Sequence, residues 1–543
     1  MITTHPTTPF AGQRPGTSGL RKKVTEFAQP GYAENFIQSL FDIVRPDPGA
    51  LLVIGGDGRF HNRAVIASAI RIAAANGFAR ALVGRGGLLS TPAASNLIRK
   101  TGAAGGLILS ASHNPGGPDG DFGVKYNVAN GGPAPAALTE AVYARSQAID
   151  RWLAVDDGPE IDLDRIGSTM VGAMQVEVID PVADYAELME QVFDFAAIRA
   201  AIADGLTISF DAMHAVTGPY AVEIFENRLG CPAGTVRNGT PLEDFGGHHP
   251  DPNPVDAAEL VARMMAADAP DFGAASDGDG DRNLIVGKGI IIAPSDSLAM
   301  LAAQAHLAPA FAGGITGIAR SMPTSTAADR VAEALDVPLF ETPTGWKFFG
   351  NLLDAGLINL CGEESAGTSS DHVREKDGLW AILLWLNILA VRRVSVAEVA
   401  QGHWARFGRT YYARHDYHAL PTETADRLVA ELVERLPTLA GTSIDGLAIE
   451  RADSFTYHDP VDGSVSANQG LRILIGGGSR IVLRLSGTGT EGATLRLYLE
   501  RHEPVGGQLD ANRDAMLAGI AAAAERIAGI TRHTGRTTPD LVS

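Results

Sequence analysis

Leu51-Leu52-Val53-Ile54-Gly55-Gly56, then Asn62 to Asn76, then Arg80-Ala81-Leu82-Val83-Gly84, then Thr91 to Thr101, follow one another along the chain. The first and third are short apolar runs closed by glycine, which predicts buried strands; the second, alanine-rich, and the fourth read as helices. This βαβα order predicts α/β architecture. The pattern continues with Gly106-Leu107-Ile108-Leu109, a further short strand stopped by the loop residues Pro115, Gly116, Gly117 and Pro118. It restarts after a polar, irregular region around residues 156–169. Leu206 to Asp211 then reads as a strand and Gly218 to Leu229 as a helix. It restarts again near Gly314, with helices expected over Val331 to Leu335 and Gly345 to Ala355. Three α/β units in a row suggest a distant internal repeat, although none is visible residue by residue. After about Arg406 the character changes. Thr410–Arg414, Leu471–Ile475, Arg480–Arg484 and Leu495–Leu499 are strand-like, most of them alternating, and Ala425–Arg435 and Asp514–Ile527 are helix-like. That predicts an α+β unit with an antiparallel sheet. Residues 1–19, rich in Thr, Pro and Gly, read as a loose arm.

The 543 residues are 45% hydrophobic and 20% charged, the composition of a globular protein of about three or four domains. A net charge of −19 argues against nucleic acid as a partner. An anionic small molecule would need positive charge gathered locally. Two cysteines, Cys231 and Cys361, give no disulfide framework and no Cys-based zinc site. The N-terminus lacks a basic region followed by an apolar core, and the longest apolar stretch, Leu379 to Val391, is too short for a bilayer. The expectation is therefore a cytoplasmic protein with no membrane partner.

Four stretches carry chemistry. Ser110-Ala111-Ser112-His113-Asn114 places hydroxyls, an imidazole and an amide at a strand end, where α/β sheets bind ligands; alone, it reads equally as a capped turn. Asp277-Gly278-Asp279-Gly280-Asp281-Arg282 sets three carboxylates at alternate positions, a hard-cation loop for Mg²⁺ or Ca²⁺. It is not an EF-hand, because Arg282 and Lys288 stand where that loop needs Gly and Glu. Arg282 beside it suits a phosphoryl group. Arg484-Leu485-Ser486-Gly487-Thr488-Gly489-Thr490, with Arg496 on the next strand, combines backbone donors, hydroxyls and guanidinium groups into a phosphate clamp or, at its plainest, a hairpin turn. Cys361-Gly362-Glu363-Glu364-Ser365-Ala366-Gly367 offers acceptors and a donor for sugar hydroxyls, but by itself it reads as a plain acidic turn. Lesser signals are the basic loop Gly16 to Lys23, Lys376 in a charged run, and Thr344 before a helix, where it either meets ligand or caps. His248-His249 reads as loop.

These runs, with Thr342 to Ala355, Cys361 to Leu386 and Asp459 to Ile473, resemble the α-D-phosphohexomutase superfamily in order over nearly the whole chain. The resemblance implies three related α/β domains with mixed sheets (1–185, 186–303 and 304–405) and a smaller α+β C-terminal domain (406–543) around a central cleft. It implies interconversion of α-D-glucose 1-phosphate and D-glucose 6-phosphate, with glucose 1,6-bisphosphate as intermediate and activator. Ser112 would carry the phosphoryl group, and Asp277, Asp279 and Asp281 would hold Mg²⁺ together with it. Arg282 and Asp281 would line the reacting end, and His113 and Lys125 would move protons. Thr344, Gly345, Glu363 and Ser365 would grip the sugar, with Thr17, Ser18, Arg21 and Lys376 on the bisphosphate. Arg484, Ser486, Gly487, Thr488, Thr490 and Arg496 would hold the non-reacting phosphate. The alternatives are mannose phosphates as substrates, or a non-catalytic sugar-phosphate binder. A monomer or weak dimer is expected. Three residues depart from the family pattern: Ser110 for Thr, Ala366 for Phe and Thr490 for Ser. None removes a charge, and only Ala366 bears on the shape of the sugar loop.

Overall fold

The computed structural model describes residues 1–16, 18–486 and 492–543; Thr17, Gly487, Thr488 and Thr490 lie outside the described residues. The βαβα segment folds as its pattern predicts, into a strand Leu51–Gly56, a helix Asn62–Ala75, a strand Arg80–Leu88 and a helix Thr91–Thr101. These strands sit in the middle of a seven-stranded sheet. Its spatial order is Leu20–Lys23, Asp121–Val128, Gly105–Leu109, Leu51–Gly56, Arg80–Leu88, Met174–Ile179, Gly167–Val171. The central four are mutually parallel and the outer strands antiparallel, so the sheet is mixed.

The second sheet runs Val236–Arg237, Ile208–Asp211, Phe272–Ser276, Asn283–Gly287, Ile290–Ile292, parallel at one edge and antiparallel at the other. The third, Leu339–Thr342, Ile318–Ser321, Leu360–Gly362, Thr368–Ser370, repeats that mixture. The fourth has seven strands, antiparallel throughout, with helices Thr422–Leu439 and Arg513–Ala528 packed on it over their own apolar core.

Helix Gly378–Arg392 explains the long apolar stretch. It is buried on every side from Gly378 to Ala390 and lies within one continuous core that takes residues from all three α/β sheets. Among the described residues no single helix is long and apolar enough to cross a membrane. Asp377 caps this helix, accepting from the Trp380 amide at 3.0 Å. The same carboxylate accepts from the Tyr185 hydroxyl at 2.6 Å and lies 2.9 Å from His372 Nε2, which fixes the backbone next to Lys376.

Some local expectations are corrected. The N-terminal arm is not loose: Ile2–Pro6 is a strand paired antiparallel with Arg151–Val155, and the His5 ring stacks on Trp152 at 3.9 Å. Its threonines are β-branched and suit a strand. The irregular region ends in an edge strand, Gly167–Val171. The helix expected over Gly218 to Leu229 is α-helical over Thr217–Ala221 and π-helical over Val222–Arg228. The strand that leads into the Glu363 loop is short, Leu360–Gly362, because the residues before it close the turn after the helix Lys347–Asp354.

The fourth sheet is fastened to the third by buried charge. Arg480, 3% exposed, donates to Glu500 at 2.5 Å, to the Met322 carbonyl at 2.7 Å and to the Thr324 carbonyl. Arg320 and Arg472 meet at Glu341 beside it. Arg480→Met strands the Glu500 carboxylate in the interior, so it is expected to destabilise the attachment of the last unit by roughly 3–5 kcal/mol. A urea titration followed by limited proteolysis between the third and fourth sheets checks this.

Candidate active site

Three loops at the carboxyl ends of strands meet across one cavity of about 810 Å³, the position where open α/β sheets bind ligands. The Ser112 loop follows Gly105–Leu109, the aspartate loop follows Phe272–Ser276, and the Glu363 loop follows Leu360–Gly362. Arg21, His113, Lys125, Asp281, Arg282, Thr344, Gly345, Glu363, Ser365, Lys376, Arg484, Ser486, Arg496 and the exposed Ser18 all line this cavity. Sequence-distant candidates are thus brought to one place.

Ser112 is 1% exposed and sits at φ +54°, a left-handed conformation uncommon outside glycine. Its Oγ donates to Asp277 Oδ2 at 2.9 Å and lies 3.4 Å from His113 Nδ1. The Ser110 hydroxyl accepts from the Ser112 amide at 2.7 Å, so the residue that departs from the family pattern still does a threonine's work.

The aspartate loop closes the hairpin between Phe272–Ser276 and Asn283–Gly287. Gly280 takes φ +81°, and a Cβ on Gly278 would sit 2.4 Å from the Ser112 carbonyl oxygen, so the two loops touch backbone to backbone. Asp277 Oδ1 accepts from the Asp281 and Arg282 amides at 2.8 and 3.0 Å. Asp279 accepts from the Thr91 hydroxyl at 2.7 Å and from Lys125. Oδ1 of Asp279 and Oδ1 of Asp281 are buried with no hydrogen-bond partner. One oxygen from each aspartate lies within 4.8 Å of the others. Three clustered carboxylates, two of them with an orphaned oxygen, fit a hard divalent cation.

Burial, with Asp281 and Asp279 close by, pushes the Asp277 carboxyl well above its ordinary range. Burial acts the same way on Asp279, but Lys125 and the Thr91 hydrogen bond overcome it and hold that carboxyl below its ordinary value. Lys125 stays charged because Asp279 and Asp281 outweigh its own burial. Burial, then Arg282, Arg21 and Lys376, drive the His113 imidazole far down, so it is neutral at pH 7.

Lys376 does not pair within its own charged run; its Nζ reaches Asp281 Oδ2 at 3.0 Å. Arg282 approaches Asp251, Asp277 and Asp281 only at 3.7–3.9 Å, and its Nε has no hydrogen-bond partner. The buried Nε atoms of Arg21 and Arg496 also lack one. Arg484 reaches the Tyr498 hydroxyl at 3.4 Å. Thr344 does not cap the helix Lys347–Asp354, and its hydroxyl is buried without a partner. Glu363 accepts from the Gly345 amide at 2.8 Å, and burial raises its carboxyl.

Sequence reasoning missed Glu375. It lines the cavity, accepts from Asn127 Nδ2 at 2.9 Å, and burial pushes its carboxyl up to about 7 against the pull of Lys125. It had looked like one member of a solvated charge run.

Cations on facing walls, a serine aimed at an acidic triad and a cavity large enough for a phosphorylated sugar mark the class as phosphoryl-transfer enzymes acting on small anions. Profiles of known families match almost end to end. They are phosphoglucomutase/phosphomannomutase alpha/beta/alpha domain I over residues 12–151, domain II over 183–289, domain III over 294–407, and the phosphoglucomutase-1 C-terminal domain over 409–540. The chain belongs to the phosphoglucomutase/phosphomannomutase family. A phosphoglucomutase of Rhizobium radiobacter is 62% identical over 543 residues, covering 100% of both chains. Phosphoglucomutase-1 of Oryctolagus cuniculus is 48% identical, again over 100% of both. Among solved structures, the open form of the exocytosis-sensitive phosphoprotein pp63/parafusin, a phosphoglucomutase from Paramecium, superposes with a TM-score of 0.93. It shares 46% identity and covers 100% of this chain and 99% of that one.

Glu375 generates a pH prediction. Its folded value of about 7 exceeds the ordinary 4.5, so the folded chain holds this proton more tightly than the unfolded chain. That stabilisation is complete below about pH 4.5 and lost as pH rises through 7. Glu375→Gln, assayed in chelator by thermal melting, is expected to gain stability relative to the parent between pH 5 and pH 8. An unchanged difference between the two pH values would contradict the assignment.

Proposed function

We propose that this enzyme interconverts α-D-glucose 1-phosphate and D-glucose 6-phosphate, with Ser112 as the phosphoryl carrier and glucose 1,6-bisphosphate as the intermediate that also primes it. The observation that carries the reading is the Ser112 hydroxyl held 2.9 Å from Asp277, where the loops of both residues, through His113 and Asp281, border a cavity that also gathers Arg21, Lys125, Arg282, Lys376, Arg484 and Arg496. The full-length identities to phosphoglucomutases support glucose as the sugar.

In the forward half-reaction the P–O bond at Ser112 Oγ breaks as a bond forms to the free sugar hydroxyl. That hydroxyl loses its proton and Oγ regains one. The bisphosphate then reverses its orientation, and its other phosphoryl group returns to Ser112. His113, with Nδ1 3.4 Å from the Ser112 Oγ, and Lys125, paired with Asp279, are the candidates for these proton transfers. Asp277, Asp279 and Asp281, with a phosphoserine oxygen, would hold Mg²⁺. The bound ion supplies charge neutralisation to the transferred group. Arg282 adds fixed positive charge there. Arg21, Ser18 and Lys376 receive the phosphate near the reacting end; Arg484, Ser486 and Arg496 receive the resting one, with Thr17, Gly487, Thr488 and Thr490 assigned to these same loops. Glu363, Ser365, Thr344 and Gly345 bind ring hydroxyls that must be matched in both orientations. Two anchoring sites are required because one phosphate fixes the sugar while the other reacts. The sequence division at residues 185, 303 and 405 is retained as the domain assignment.

Intact-mass measurement is expected to find a phosphoryl adduct that Ser112→Ala abolishes, with turnover in a coupled assay falling more than about 10³-fold. Removal of divalent cations should stop turnover and Mg²⁺ should restore it. An unmodified parent together with a fully active Ser112→Ala chain would overturn the mechanism; faster turnover of mannose 1-phosphate than of glucose 1-phosphate would overturn the choice of sugar.

A further inference from the structure

Arg59 is among the largest fully buried side chains of the described residues, and its guanidinium-bearing side chain is 0% exposed. It follows the strand Leu51–Gly56 in the run Asp57-Gly58-Arg59 and is not among the residues lining the cavity. Every arm of its guanidinium is used. Nε donates to Asp57 at 2.8 and 3.1 Å, one terminal nitrogen donates to the Asp121 carbonyl at 2.7 Å, and the other donates to the Ser112 carbonyl at 2.7 Å. The Phe245 ring, from the second unit, covers it at 5.2 Å.

The last of these bonds lands on a strained residue. A non-glycine residue in the left-handed region is sterically disfavoured and persists only where its surroundings over-determine it. Both peptide groups flanking the Ser112 Cα are in fact held. Ser110 Oγ takes the amide, and Arg59 takes the carbonyl, which is also pressed towards Gly278 of the aspartate loop. With both peptides fixed, the Cα–Cβ vector is fixed, and Oγ is aimed at Asp277. The far end of the fork is fixed too. The Asp121 carboxylate, whose carbonyl Arg59 also holds, accepts from Asn114 Nδ2 at 2.8 Å and pairs with Lys23 at 2.9 Å. The Glu243 carbonyl of the second unit accepts from the Phe60 and Gly117 amides at 2.8 and 3.0 Å, clamping the two ends of the assembly together.

We infer that Arg59 is a positioning residue for phosphoryl transfer: without touching ligand, it holds the Ser112 backbone in the left-handed conformation that presents Oγ to the aspartate loop, backed by Asp57 and by Phe245 from the second unit. The inference rests on Ser112 being the phosphoryl carrier. A lysine at position 59 keeps the charge but can serve only part of the planar fork, so it is not a conservative replacement here.

The test uses the full-length chain loaded with Mg²⁺. Arg59→Lys, Arg59→Gln and Phe245→Leu are compared with the parent for kcat, for KM towards glucose 1-phosphate, and for the rate at which glucose 1,6-bisphosphate phosphorylates Ser112, followed by intact mass. A misaimed nucleophile of about 1 Å costs on the order of 100-fold in rate. The expected result is therefore a kcat and a loading rate reduced about 10-fold in Arg59→Lys and about 100-fold in Arg59→Gln, with KM within about threefold of the parent's because the sugar contacts are intact. A role confined to stability would lower the melting temperature and leave kcat and loading rate of the folded fraction unchanged, and that result overturns the proposal. So does a change that falls on KM alone. If Arg59→Gln does not fold, Arg59→Lys and Phe245→Leu decide: parental kcat and loading rate in both overturns the proposal, and a fall in both rates in Arg59→Lys supports it. An adduct-free parent and an active Ser112→Ala chain would instead sink the carrier assignment itself, an outcome read on different proteins.

Discussion

Three buried carboxylates with oxygens within 4.8 Å of one another repel by about 3 kcal/mol per pair at an effective dielectric near 20. Such a group persists only if positive charge is brought to it from elsewhere in the fold. Lys125 comes from the first sheet, Lys376 from the loop before the central helix and Arg282 from the strand end next to the triad. The aspartate loop is thus the point on which separate units must agree. The Thr91 amide and the Gly378 amide hydrogen-bond its backbone from either side, at 2.9 and 3.0 Å. The cavity is the space left over once those partners have converged, which is why its walls are cationic in a chain of net charge −19.

The electrostatics also sorts the titratable groups by task. Lys125 and Asp279 hold each other in their charged forms, while His113, surrounded by cations, is kept neutral. Two basic side chains on neighbouring elements of the first unit therefore stand in opposite protonation states at the same pH. One neutral and one charged nitrogen thus face the same cavity.

Much of this was legible beforehand. The strands Leu51–Gly56 and Leu471–Ile475 and the helix Thr91–Thr101 have the bounds that their apolar runs and punctuating residues predict. The alternation of Asp and Gly at 277–281 marked a candidate cation loop, and in the fold the three carboxylates do converge. What was not legible depended on partners distant in the chain. The resemblance assigns Lys376 to the bisphosphate, but its own run, with acidic Glu375 and Asp377 beside it, carries no sign of its pairing with Asp281; in the fold one of those neighbours is a buried acid and the other caps a helix. Arg59 sits one turn past a strand end, the same position that singled out Ser112, but a lone Asp-Gly-Arg carries no periodic or motif signal. Its burial follows only from the carbonyl groups that fold onto it.

The helix Gly378–Arg392 has a consequence for how the chain divides. Sheets count four units, but the three α/β sheets draw on one unbroken core around this helix, whereas the antiparallel sheet has a core of its own. A segment ending before residue 378 would lack the helix that fills the centre of its interior, so the first three sheets are not severable modules. The first sheet keeps a second core on its other face, and the antiparallel sheet, which begins near Gly408, is built on another.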